Sequence, residues 1–212
     1  FILFSFNEKI NIQYGKDKID DNEYSCDSWF RLSMYDGTIK IPDSVKEIGA
    51  DAFKMCYKLT GSLTIPDSVT KIGPSAFYQC SGLNGSLKLS NALKEIGDYA
   101  FYECSGLTGQ ITFPDTLEKI GNSVFYGCSG LTGSLNLPDS LIQIEDCAFK
   151  SCSGLNGSLK LPKFLKEIKY DTFCSCSRLT GSLNIPDSVE EIGIGAFCYC
   201  YGFSGSLIIP NS

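Results

Sequence analysis

The chain has 212 residues, 43% of them hydrophobic, and carries a net charge of -6 with a pI near 4.7. Its eighteen Lys and Arg, of which only Arg31 and Arg178 are arginines, are scattered among twenty-four acids, so no basic face is available for phosphate and nucleic acid is not expected as a partner. There is no histidine, which removes Ser-His and Cys-His nucleophile pairs and most zinc sites. With no Walker loop or dinucleotide fingerprint either, no catalytic residue, cofactor or metal is expected.

The apolar start, Phe1 to Phe6, is shorter than the roughly 20 residues that span a bilayer and has no basic flank before it, so neither signal nor anchor is visible in this segment. Ile10, Ile12 and Tyr14 alternate as a strand does, and Lys16 to Glu23 (KDKIDDNE) reads as a charged turn. A degenerate repeat follows, with Trp29, Leu32, Tyr35 and Gly37 in the Phe, Cys, Leu and Gly positions of the units to come. Residues 1–36 are therefore expected to form an N-terminal cap.

From residue 37 to 212 the sequence repeats every 24 residues without insertion, through Phe53, Phe77, Phe101, Phe125, Phe149, Phe173 and Phe197, and through Cys56, Cys80, Cys104, Cys128, Cys152, Cys176 and Cys200. An unbroken period of this length specifies a stacked solenoid. Within one unit Leu63 and Ile65 face inward around Thr64, and Pro66 ends the strand. Val69 and Ile72 return to the core at a spacing of three, and Ala76, Phe77 and Cys80 follow at a spacing that suits a helical or 3₁₀ turn. The expected fold is an α+β repeat solenoid, with a parallel sheet on one face and short turns, 3₁₀ or helical segments on the other. Eight strands, starting at Ile39, Leu63, Leu87, Ile111, Leu135, Leu159, Leu183 and Leu207, would make a sheet about 34 Å long.

The glycine at position 37 recurs in every unit, through Gly61, Gly85 and Gly109 to Gly205, which points to positive φ or close backbone packing. The glycine at Gly49, Gly73, Gly97, Gly121 and Gly193 gives way to Glu145 and Lys169, so that position is expected to face solvent. The eleven cysteines are about 5% of the chain, below the roughly 8–10% of disulfide scaffolds. Side chains in one column point in parallel, so the cysteine column reads as buried free thiols acting as small hydrophobes, while Cys26, Cys147, Cys174 and Cys198 are expected to be exposed and oxidisable.

The column Asp43, Asp67, Asp115, Asp139 and Asp187, interrupted by Asn91 and Lys163, is expected to accept hydrogen bonds from its own turns rather than to hold calcium. Two surface stripes are candidate binding sites. Lys40, Thr64, Lys88, Thr112, Asn136, Lys160 and Asn184 form the outward column of the strands, flanked by a serine column, and suit an extended peptide or glycan; any solvated sheet face shows similar residues. Tyr78, Tyr102 and Tyr126, with Lys54 and Lys150 beyond them, form a candidate aromatic ridge, which partial burial between rungs would also explain. Asn84 and Asn156 stand in glycosylation sequons.

The unit L-x(3)-L-x-[IL]-P-D-S-[VL]-x-x-I-G-x-x-A-F-x-x-C resembles the BspA-like, or treponemal-type, leucine-rich repeats over residues 37–212. That family's usual 23-residue form lacks one residue of the Gly-Ser in LTGSL. The resemblance implies a right-handed leucine-rich-repeat superhelix and a non-enzymatic cell-surface or extracellular module that adheres to protein or glycan partners, such as host matrix or another cell. An intracellular scaffold or inhibitor using the same face, and a polysaccharide-active solenoid enzyme, are the alternatives. Because the sequence stops in mid-repeat, self-association through an uncapped C-terminal edge is also expected.

Overall fold

Ile48, Ile72, Ile96, Ile120 and Ile144 stand in register, one per rung, and the two-residue strands that carry them form the longest sheet of the molecule. In the computed structural model, which describes residues 16–25 and 37–209, this parallel sheet has six strands, from Lys18–Ile19 to Gln143–Ile144. Glu167–Ile168 and Glu191–Ile192 pair in the same column further along. Each isoleucine from Ile19 to Ile168 is buried while its preceding neighbour stays in contact with solvent, as the alternation of a strand requires.

The column expected to hold the principal sheet is instead fragmentary. Leu63–Thr64 pairs with Leu87–Lys88, Leu135–Asn136 with Leu159–Lys160, and Leu183–Asn184 with Leu207–Ile208, whereas Ile39 and Ile111 belong to no strand. Its in-out pattern is as read: Leu63 and Ile65 are buried, and Thr64 is exposed. Proline ends this stretch after three residues in most rungs, so there is little backbone left to propagate a ladder. The Val-x-x-Ile-Gly stretch lacks that interruption and carries the pairing.

The described residues contain no helix, which corrects the α+β expectation to a solenoid of parallel strands and turns. Ala76, Phe77 and Cys80 are buried as predicted, but the segment does not coil. Ser75 and Gln79 lie at φ of 52° and 55°, and the same two positions have positive φ in each rung from Asp51 to Tyr199. Between these kinks, alternate N–H groups donate to the next rung: Ser75 to Asp98, Phe77 to Ala100, Gln79 to Tyr102. Half of the backbone donors that a helix would spend within itself thus bind rung to rung, while those between them, on Ala76, Tyr78 and Cys80, donate three residues back to Gly73, Ser75 and Phe77.

Phenylalanine rings fill the centre. Tyr24 and the rings from Phe53 to Phe197 stack with centroids 5.0–5.6 Å apart and planes within 11°. Tyr24 is the first member of this column, and Lys18–Ile19 pairs with Glu47–Ile48, so the segment read as a charged turn is a rung of the stack. The rest of the expected cap, including Trp29, lies outside the described residues.

The cysteine column does more than pack. The thiols of Cys80, Cys104, Cys128, Cys152, Cys176 and Cys200 each donate to the carbonyl of the phenylalanine one rung back, at 3.0–3.1 Å. These six are free, but Cys56 is disulfide-bonded, an exception to the all-thiol expectation. Outside the column Cys198 is exposed and Cys147 half-buried, while Cys174 is only 5% exposed, tucked below the surface expected for it. Cys26 lies outside the described residues.

The recurring glycine has two causes in different rungs. Gly109 adopts φ of +79° with open space where a Cβ would lie. Gly85 has an ordinary φ, but a Cβ there would meet Ser62 Oγ at 2.4 Å and Ser62 N at 2.6 Å. The looser glycine column does not face solvent: Gly73 is buried against the previous rung, where a Cβ would lie 2.7 Å from Ala50 N. Glu145 and Lys169 replace it in adjacent rungs and pair with each other at 3.1 Å.

Candidate recognition surfaces

The outward strand column lies on the surface as one line, with Lys40, Thr64, Lys88, Thr112, Asn136, Lys160 and Asn184 all exposed. Thr64 is in register with Lys88 and Asn136 with Lys160. The flanking serines are partly committed to structure, since Ser62, Ser134 and Ser182 accept the backbone N–H of Ser86, Ser158 and Ser206 at 3.1 Å. A solvent-open depression of about 510 Å³ interrupts this side, floored by Leu159, Leu161 and Ile185 and edged by Ser158, Lys160, Ser182 and Asn184. Lys160 and Lys163 both point at Asp139, at 3.8 and 3.7 Å.

Two aspartates of the column, Asp67 and Asp139, bind the next rung rather than their own turns. Asp67 accepts the N–H of Asn91 at 2.9 Å and its Nδ2 at 3.1 Å, and Asp139 accepts the N–H of Lys163 at 3.1 Å. These backbone donors hold both carboxyls below their ordinary range. The interruptions at Asn91 and Lys163 therefore give a preceding aspartate its partner. Among the described residues no group of three or more His, Cys, Asp or Glu is placed to hold a metal ion.

The tyrosine ridge is a closed stack. Tyr78 and Tyr102 stand 4.9 Å apart and Tyr102 and Tyr126 4.7 Å, with planes within 12°. The Lys54 ammonium lies 5.9 Å from the centroid of Tyr78, and that of Lys150 6.0 Å from Tyr126. Burial, assisted by the charge of Glu103, pushes the Tyr78 and Tyr102 phenols above their ordinary pKa. Every ring face is covered by another ring or a cation, so a sugar or planar ligand meets only ring edges. The ridge and the strand face lie on separate sides of the rung, with the long sheet between them along the chain.

That long sheet carries a third stripe, which the sequence reading missed. Lys18, Glu47, Lys71, Glu95 and Lys119 alternate in sign down one column, with Lys18 to Glu47 at 3.8 Å and Lys71 to Glu95 at 3.2 Å. The alternation is visible in the sequence once that column is recognised as a strand. Its charges neutralise each other in register, so it offers little field to a partner. The sequon asparagines are exposed, and their Oδ1 atoms accept the N–H of Gly61 and Gly133, at 2.9 Å in both cases.

Rungs of near-constant length, a phenylalanine stack and two parallel strand columns define a leucine-rich-repeat solenoid. The chain belongs to the BspA type of leucine-rich repeat proteins: that repeat region, in six copies, matches residues 5–81, 27–156 and 72–204. It is similar to a solved T. pallidum leucine-rich repeat protein, with 34% identity, 79% of this chain and 78% of that one covered, and a TM-score of 0.70. A leucine-rich cell surface protein from Faecalibacterium prausnitzii is 20% identical over 95% of this chain and 86% of its own, with a TM-score of 0.33. A leucine-rich repeat protein from Bacteroides ovatus is 23% identical over 77% of this chain and 76% of its own, with a TM-score of 0.32. A comparison with curated proteins finds no match. Among the described residues no helix is long and apolar enough to cross a membrane.

Proposed function

We propose that this chain is a non-enzymatic recognition module of a cell surface, binding a protein or glycan through the outward strand column. The observation that supports this most is the exposed line from Lys40 to Asn184, which runs beside the depression at Lys160 and Asn184. The lines of hydrogen-bonding groups repeat at the rung spacing, and an extended polymer presents its own groups at regular intervals. The ridge is the weaker candidate because its aromatic faces are already occupied. A disulfide at Cys56 fits an oxidising compartment better than the intracellular scaffold reading.

The test is retention of the chain on immobilised matrix proteins and glycans, comparing Lys88→Glu with Lys160→Glu on the strand face and Tyr102→Ala on the ridge. Loss with the lysine variants alone is expected. Loss with Tyr102→Ala alone, or no retention on any surface, would reject the strand face.

A further inference from the structure

Beyond Tyr126, the ridge column continues with Lys150, Cys174 and Cys198, one per rung. Cys174 and Cys198 hold the same position in successive rungs. The ladder bonds Phe173 N–H to Ala196 O, 2.8 Å, and Ser175 N–H to Cys198 O, 2.7 Å, bracket the pair. Side chains of this column project in parallel, as the tyrosine rings at 4.7–4.9 Å show. Thiols held this way have Cβ atoms near the strand spacing of about 4.7–4.9 Å, beyond the roughly 3.5–4.5 Å of a disulfide. The gap instead fits one atom, because two collinear metal–sulfur bonds of about 2.3 Å span about 4.6 Å.

Both thiols are free, and neither donates to a phenylalanine carbonyl as the ladder thiols do; Cys174 Sγ lies 3.7 Å from Ser175 Oγ. Cys198 is exposed, which leaves a route to the pair from solvent. With no group of three or more ligands among the described residues, four-coordinate zinc is unsupported, whereas soft cations are selected by thiolates. We propose that Cys174 and Cys198 form a two-coordinate dithiolate site for a soft monovalent cation of the cuprous class. Binding releases two thiol protons and forms two metal–sulfur bonds, with no electron transferred and one net negative charge on the complex. Lys150, next in the column and paired with Asp171 at 2.6 Å, stands beside that charge. Because both ligands must lose a proton, occupancy increases with pH.

The experiment is anaerobic titration of the full chain with the cuprous–bicinchoninate complex, whose colour fades as the protein withdraws the ion. One cuprous ion per chain is expected, with two sulfur neighbours by X-ray absorption. Cys198→Ser, at an exposed position, should abolish withdrawal while leaving the circular dichroism spectrum unchanged, and Cys147→Ser should retain it. Absence of withdrawal, withdrawal undiminished in Cys198→Ser, equal loss in Cys147→Ser, or a native Cys174–Cys198 disulfide in a peptide map would overturn the site.

Discussion

Phe125→Ala removes a ring with no exposed surface, stacked 5.4 Å from both Phe101 and Phe149 and met edge-on by Phe113 at 5.8 Å. Truncating a buried phenylalanine costs about 3–5 kcal/mol, depending on how far the site collapses. Here collapse is restrained, because rung spacing is set by backbone bonds such as Phe125 N–H to Ala148 O at 2.8 Å. The cost should lie in the upper half of that range, a large part of the roughly 5–15 kcal/mol that holds a typical domain together. Since each rung touches only its neighbours, damage should be local. Amides of the rungs carrying Phe101 and Phe149 should exchange faster, while that of Phe53 changes little. Urea titration followed by circular dichroism gives the total loss, and hydrogen exchange by mass spectrometry gives its location. Tyr126→Ala, which removes a half-buried ring from the ridge, is the comparison and should cost less than half as much. Equal losses for the two variants, or exchange accelerated uniformly along the chain, would refute the argument.

Native thiol labelling should reach Cys198 first and Cys147 more slowly; denaturation should expose the ladder without reductant, and Cys56 should react only once reductant is added. A ladder still silent after denaturation would mean disulfides between rungs. Burial pushes Cys104 up to about 12, so it stays protonated in the fold while its unfolded counterpart ionises near 9. Its stabilising contribution is thus complete below the unfolded pKa and falls as pH rises toward the folded one, by about 1.4 kcal/mol per pH unit. Cys104→Ala should decline less steeply than the parent in urea midpoints taken from about pH 8 to about pH 10; parallel declines would refute this. Gly85→Ala should destabilise more than Gly109→Ala, because the first meets backbone and the second only an unfavourable φ, for which about 1 kcal/mol is expected. The reverse order of melting temperatures would show that φ dominates.

The sequence disclosed the buried side chains more fully than the backbone that carries them. Period and polarity placed Phe77, Cys80, Leu63 and Ile72 inside because burial follows side-chain chemistry, and the same positions recur seven times or more. Whether Ala76 to Cys80 coils or kinks depends on where N–H groups find acceptors, and those acceptors lie a rung away, 23 residues on in the sequence for Phe77 and Ala100. A spacing of one and four inside a single unit looks helical until the neighbouring unit competes for its donors. For the same reason Asp67 was assigned to its own turn although its partner is Asn91, and cysteine was read as a hydrophobe although its acceptor is the previous phenylalanine. On the surface, the exposure of the strand column follows from alternation alone, but covered ring faces at Tyr102 depend on neighbouring ring orientations that the sequence does not state.

The differing roles of the recurrent glycine show that the units are not interchangeable. Gly85, Gly157 and Gly205 are the crowded ones, and the first two are each preceded by an asparagine, Asn84 or Asn156, whose Oδ1 accepts from the N–H of the glycine one unit earlier. The paired strands at Leu63 and Leu87 recur at Leu135 and Leu159 and again at Leu183 and Leu207, and the break in the aspartates at Asn91 recurs at Lys163. The asparagine and aspartate correspondences span three units while the crowded glycine and the paired strands also return after two, so a deletion of three units is one that keeps all of these features in phase. Joining Asn84 directly to Gly157 would splice equivalent positions and present every asparagine, aspartate and crowded glycine with a familiar neighbour. Excising the single unit that carries Asn84 would instead leave the Gly61 N–H without its acceptor, so tolerance to deletion should depend on which units are removed as well as on how many.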